Sequence, residues 1–129
     1  MTSKCQVASN PEKLKIVENQ LLKRAKENFN SGRYVVIDII NLERGFIEEM
    51  KKTFHEDLIL RVLWPPMETT IERDKRRDGW TSGKDTIRRF YKKYEEVKPI
   101  IGEKYYIDNR HQTPEETLES FIANIEQNK

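Results

Sequence analysis

The chain has 129 residues, 36% charged and 36% hydrophobic, with a net charge of +2 at pH 7 and a single cysteine. That length suits one domain with a real core, and one cysteine excludes an internal disulfide framework or a closed cysteine–metal site. No apolar run nears the roughly 18–20 residues that cross a bilayer. The opening M-T-S-K-C-Q-V-A-S-N has no secretory apolar core, so a cytoplasmic protein with a flexible lead-in over 1–9 is expected.

Taken in chain order, Asn10 before Pro11 and Glu12 predicts a helix start, with a capping side chain followed by a residue of preset φ. Leu14, Val17, Leu21, Leu22, Ala25 and Phe29 recur at helical spacing, and Gly32 stands where a left-handed C-cap ends such a helix. R-Y-V-V-I-D-I-I (Arg33 to Ile40) is a β-branched run, apolar on both faces, and predicts a covered strand of a parallel sheet. Leu42, Phe46, Ile47, Met50 and Phe54 predict a second helix, and L-I-L-R-V-L-W (Leu58 to Trp64) a second strand ended by Pro65 and Pro66. Met67 and Ile71 give a third helix its inner face. Ile87, Phe90, Tyr91, Tyr94 and Val97 do the same for a fourth, beyond a break at Gly79–Gly83. K-Y-Y-I-D (Lys104 to Asp108) is a short third strand, and the capping box T-P-E-E (Thr113 to Glu116) opens a last helix through Leu118, Phe121, Ile122 and Ile125. Alternating helices and buried strands predict an α/β fold.

Charge is concentrated in one place. Between Glu72 and Lys93 stand nine Lys/Arg and four Asp/Glu, whereas the whole chain is only +2. Such clustering points to an anionic ligand at this helix–turn–helix rather than to a uniformly basic protein. Arg73 and Arg77, four apart, are expected on one helical face, with Arg88 and Arg89 on the next helix. A solvated face paired with Glu72, Asp74 and Asp78 is the plainer reading of the first two.

The order of three segments resembles the P-loop phosphotransferases, in their polynucleotide-kinase-like branch. G-R-Y-V-V-I-D-I-I-N-L (Gly32 to Leu42) is similar to the family's substrate-side strand with its acidic residue and Asn-Leu ending. A strand ending in L-W-P-P, followed by E-T-T-I-E-R-D-K-R-R, is similar to its strand and Arg-x-x-x-Arg helix; T-S-G-K-D-T-I-R-R-F-Y-K-K-Y looks like the helix that closes its lid. The resemblance implies a three-layer parallel sheet flanked by helices, an incomplete P-loop NTPase-like fold over 10–129 with a helical lid around 66–97. It implies ATP and Mg²⁺ as cofactors. Arg73 and Arg77 become catalytic, nucleotide-holding lid residues, Asp38 a catalytic base, Asn41, Arg88 and Arg89 substrate contacts, and Asn109 a nucleotide contact. Guanidinium groups suit that task, because phosphoryl transfer is catalysed by positioning and by neutralising phosphate oxygens.

One part of the pattern is missing. No G-x-x-x-x-G-K-[ST] occurs, and the nearest string, G-W-T-S-G-K-D (Gly79 to Asp85), is one residue short and follows a helix rather than a strand. The expectation is therefore the C-terminal portion of an ATP-dependent kinase, polynucleotide- or small-molecule-directed and inactive alone. Its sheet would be completed by another chain supplying the phosphate-loop strand, or by a homo-oligomer. The alternative expectation is a non-catalytic module whose basic lid binds nucleic acid or another polyanion.

Individual residues keep two readings each. Asp38 lies three before Asn41, where the family has two, and both residues also suit turn or helix caps. Trp64 suits a purine pocket or a core edge; Tyr91 and Tyr94 suit a nucleic-acid surface or ordinary packing. Asp108, Asn109 and Arg110 suit an adenine-side loop or a plain turn. His55 and His111 lack partners at zinc spacing.

Overall fold

The computed structural model describes residues 10–40 and 43–127. The 1–9 lead-in, Asn41 and Leu42 lie outside the described residues. Two compact units result, one ending at His55 and one beginning at Glu56.

The first unit is a pair of helices. Helix α1 spans Pro11–Asn30; Asn10 caps it, its Oδ1 accepting from the Lys13 amide at 3.2 Å with proline in the first turn. It ends as the glycine predicts: Gly32 has φ +84°, its amide donates to Phe29 O at 3.0 Å, and the Arg33 amide donates to Asn28 O at 3.1 Å. Helix α2 spans Arg44–Phe54, and Phe46, Ile47, Met50 and Phe54 are buried along one stripe. Phe29 meets Phe54 edge-on, with centroids 5.5 Å apart.

Between these helices the expected strand is not formed. Arg33–Ile40 forms no strand, and Tyr34 and Val36 stand almost wholly in solvent. The reason is pairing rather than propensity. A strand exists through its ladder, and Tyr34 through Ile39 make no backbone hydrogen bond among the described residues.

The second unit holds the only sheet among the described residues. Strand β1 (Val62–Leu63) pairs in parallel with β2 (Tyr106–Ile107), Val62 opposite Tyr106 and Leu63 opposite Ile107, and the Trp64 amide extends the ladder to Ile107 O at 2.6 Å. Parallel neighbours require a crossover. Here it consists of α3 (Met67–Lys75), a turn, and α4 (Lys84–Ile101). Val62, Ile87, Val97, Ile101 and Ile107 form the buried centre. At the end of α4, Gly102 takes φ +105°, and an added Cβ would lie 3.0 Å from the Tyr105 ring, so the reversal into β2 needs glycine. Helix α5 (Pro114–Gln127) opens with the predicted capping box: the Glu116 amide donates to Thr113 Oγ1 at 3.2 Å, and the Thr113 amide to Glu116 Oε1 at 3.0 Å. No residue of α5 is fully buried. Arg61 anchors it instead, donating from Nε to Asn124 Oδ1 at 2.5 Å, while Asn124 Nδ2 donates to Lys104 O at 3.0 Å.

The expected three-layer parallel sheet is thus overturned. Helices account for 67% of the structure, and two short parallel strands are all the sheet it has among the described residues.

Candidate functional site

The site grows from the carboxyl edge of β1 and β2, which the parallel register places on one side. Trp64 leaves β1 there, and Asp108, Asn109 and Arg110 leave β2. Arg73, from the last turn of α3, reaches that edge. Its Nη2 donates to Asn109 O at 3.1 Å and to Arg110 O at 3.3 Å, with Nη1 3.5 Å from Asn109 Oδ1. Asp108 closes the loop as a turn, accepting from the Arg110 amide at 3.0 Å and pairing with Arg110 Nε at 3.0 Å. Arg73 and Asn109 are brought together here. The contact is a tie between α3 and the loop.

Arg77 departs from the expected geometry. Helix α3 stops at Lys75, so Arg77 lies in the turn beyond rather than one helical turn along the same face as Arg73. Its guanidinium carbon sits 5.4 Å from the Trp80 ring centroid, a cation–π contact on an indole that is 45% exposed. Arg88 and Arg89 are exposed on α4, where Lys84, Arg88 and Lys92 follow at four-residue spacing along one face. The Arg89 Nη2 lies 3.4 Å from Thr86 Oγ1.

The residue that organises this turn is one that sequence reasoning passes over. Asp74 is 6% exposed, and its two carboxylate oxygens accept from the amides of Ser82 (2.8 Å) and Gly83 (3.0 Å). Those amides sit at the head of α4, where a helix leaves its donors without internal partners. Their hydrogen bonds, with Arg77 adding a smaller share, hold the Asp74 carboxyl below the usual range. The only signal in the sequence is an acid one helix-end before a Gly-bounded turn. The same contacts settle the lookalike string Gly79–Asp85: two of its amides already face a carboxylate, so it does not fit a phosphate. No group of three His, Cys, Asp or Glu among the described residues is arranged to hold a metal ion.

Behind the edge lies an aromatic cluster. Trp64 stacks on Tyr91 with centroids 4.3 Å apart and meets Tyr106 edge-on at 5.3 Å, while Lys98 Nζ stands 5.5 Å over Trp64 and 5.1 Å over Tyr106. Tyr91 donates to Pro65 O at 2.6 Å, and Tyr106 to Tyr94 O at 2.6 Å. Burial pushes the Tyr94 and Tyr106 phenols up to about 12 and raises Tyr91 as well. These tyrosines join α4 to the sheet, so packing is their role. Asp38 lies in the other unit, exposed in the unpaired segment, and Asn41 falls outside the described residues. Comparison with protein-family models, curated proteins and solved structures yields no match.

Proposed function

We propose that the helix–turn–helix from Met67 to Ile101 is a polyanion-binding surface whose preferred ligand is single-stranded nucleic acid. The observation that carries this reading is the exposed Trp80 backed by Arg77 and followed by the cationic face of α4. A half-exposed indole offers a face on which any base stacks, and lysines and arginines beside it neutralise the backbone; the pairing is sequence-tolerant.

The test is fluorescence anisotropy of a labelled oligonucleotide of about 12 nucleotides, a length within one such site, titrated at several salt concentrations. Engagement of about four phosphates gives a log–log salt slope near −3 for a single strand. Trp80→Ala lowers affinity by roughly 5- to 150-fold, the worth of one stacked base at about 1–3 kcal/mol. Arg88→Ala with Arg89→Ala flattens the slope by about 0.7 for each phosphate that is no longer neutralised. Binding indifferent to salt or to Trp80 rejects the proposal.

A second reading is favoured by Arg73, which reaches the carboxyl edge of the parallel pair β1 and β2. In that reading the unit is the lid-bearing portion of an ATP-dependent kinase, with Arg73 and Arg77 toward the phosphates. ATP would supply the phosphoryl group, and this chain would contribute binding and orientation only. Calorimetric titration with ATP and Mg²⁺ separates the two: saturable binding abolished by Arg73→Ala supports the kinase reading, and oligonucleotide binding without nucleotide binding supports the first.

A further inference from the structure

Tyr34–Ile39 is a strand in everything but its partner among the described residues. Its run is β-branched, and its burial alternates with the period of a strand. Tyr34 is 104% exposed, Val36 94% and Ile40 64%, with Asp38 exposed too, while Ile37 and Ile39 between them are partly covered. Tyr34 through Ile39 make no backbone hydrogen bond among the described residues. The root is fixed: Arg33 donates through its amide to Asn28 O at 3.1 Å and through Nη1 to Asn28 Oδ1 at 2.8 Å. The segment therefore leaves α1 at a defined point, and from Tyr34 to Ile39 its backbone donors and acceptors are open to another chain.

We propose that this segment pairs with the same segment of a second copy, forming an antiparallel ribbon about a two-fold axis through Val36. The charge pattern selects the copy and the direction. Arg33 stands at the head and Asp38 near the tail, so antiparallel copies set head against tail. A parallel pair would stack arginine on arginine and aspartate on aspartate. A two-fold normal to the ribbon keeps even-numbered residues together. Val36 then faces Val36, Val35 faces Ile37, and the Tyr34 phenol lies opposite the Asp38 carboxylate, a donor facing an acceptor. From Tyr34 to Asp38 the cross-strand pairs are apolar or polar-matched, and an isologous contact of this kind closes at two copies. The ribbon is short, and interfaces this small dissociate at roughly micromolar concentration or above.

Sedimentation equilibrium of the full chain across a wide concentration range tests the pairing. A reversible species of twice the 15.5 kDa chain mass is expected. Val36→Lys places two like charges in register on the axis and raises the dissociation constant about tenfold or more. Val36 is bare in the single chain, so the far-ultraviolet circular dichroism of this variant stays that of the parent. Register is read separately in a Cys5→Ser background: Val36→Cys cross-links under mild oxidation, and Val35→Cys, displaced from the axis, cross-links far less. A monomer at every concentration, a dimer unmoved by Val36→Lys, equal cross-linking at both positions, or open-ended growth beyond two copies would each overturn the proposal.

Discussion

Replacing Tyr91 with phenylalanine isolates the contact that seats α4 on the sheet. The Tyr91 hydroxyl lies 2.6 Å from Pro65 O and 2.5 Å from Thr70 Oγ1. A carbonyl only accepts, so the phenol donates to Pro65 and the threonine hydroxyl donates to the phenol. Tyr91→Phe keeps the ring stacked on Trp64 and removes both bonds. Each neutral bond contributes about 0.5–1.5 kcal/mol net, and Pro65 is buried, so its carbonyl loses its partner with no water to replace it. The sum is about 2 kcal/mol, which in a unit of this size lowers Tm by roughly 8–16 °C. Urea and thermal unfolding followed at 222 nm read it directly. Thr70→Val combined with Tyr91→Phe removes donor and acceptor together, so part of the loss returns and the two changes are less than additive. A Tyr91→Phe loss under about 0.5 kcal/mol, or strict additivity with Thr70→Val, would refute the bonding scheme.

Alkaline pH attacks the same interface. Tyr94 is raised to about 12 from 10.0 by burial, so the folded state keeps a proton that the unfolded chain releases. Its contribution is full below pH 10 and is lost as pH rises toward 12, by about 2–3 kcal/mol. Tyr106 adds a smaller share because it is more exposed. The urea midpoint should fall through that window in step with tyrosinate absorbance, and Tyr94→Phe should reduce the fall. Asp74 acts in the opposite direction. Its lowered carboxyl contributes above the ordinary aspartate value of about 3.9 and fades as pH drops below it. Asp74→Ala frees the Ser82 and Gly83 amides, and tryptic cleavage at Arg76, Arg77 and Lys84 should accelerate several-fold (about threefold or more) while oligonucleotide affinity falls. Asn124→Ala removes the anchor of α5 at a cost of about 1.5–3 kcal/mol, since one of its bonds takes a charged donor. Amide exchange across Pro114–Gln127 should rise before that of α4.

What the sequence disclosed was local chemistry. Asn10 with Pro11, and Thr113 with Glu116, are recognisable as helix starts because a cap involves residues within one turn of each other. The stripe Phe46–Ile47–Met50–Phe54, and Ile87 with Val97 on the fourth predicted helix, were legible for the same reason. Strands were not. Val62–Leu63 found Tyr106–Ile107, more than forty positions away, while the stronger β-former at 33–40 formed no strand among the described residues. No periodicity within Arg33–Ile40 distinguishes those two outcomes. The pairing of Arg73 with Arg77 failed at a helix end: the Asp78–Gly79 turn cut α3 short, and each guanidinium took its own target. Asp74 was hidden because its acid lay among basic residues, which invited an ion pair, whereas its oxygens serve backbone amides across eight and nine positions.

That last interaction bears on why the lid can carry so much positive charge. Of the acids expected to neutralise it, Asp74 is turned inward to the head of α4, and Glu72 pairs with Lys75 at 3.6 Å. Arg73 is committed to the carbonyls after β2, and Arg77 to the Trp80 face. Arg76, Lys84, Arg88 and Lys92 make no ion pair among the described residues, and all four are exposed. The tied cations set the shape and the untied ones set the field, so the two roles separate under substitution. Changing Arg73 should free the loop after β2, and changing Asp74 the turn before α4, at any ionic strength, whereas changing Arg88 or Lys92 should leave the fold intact and weaken only binding that salt also weakens.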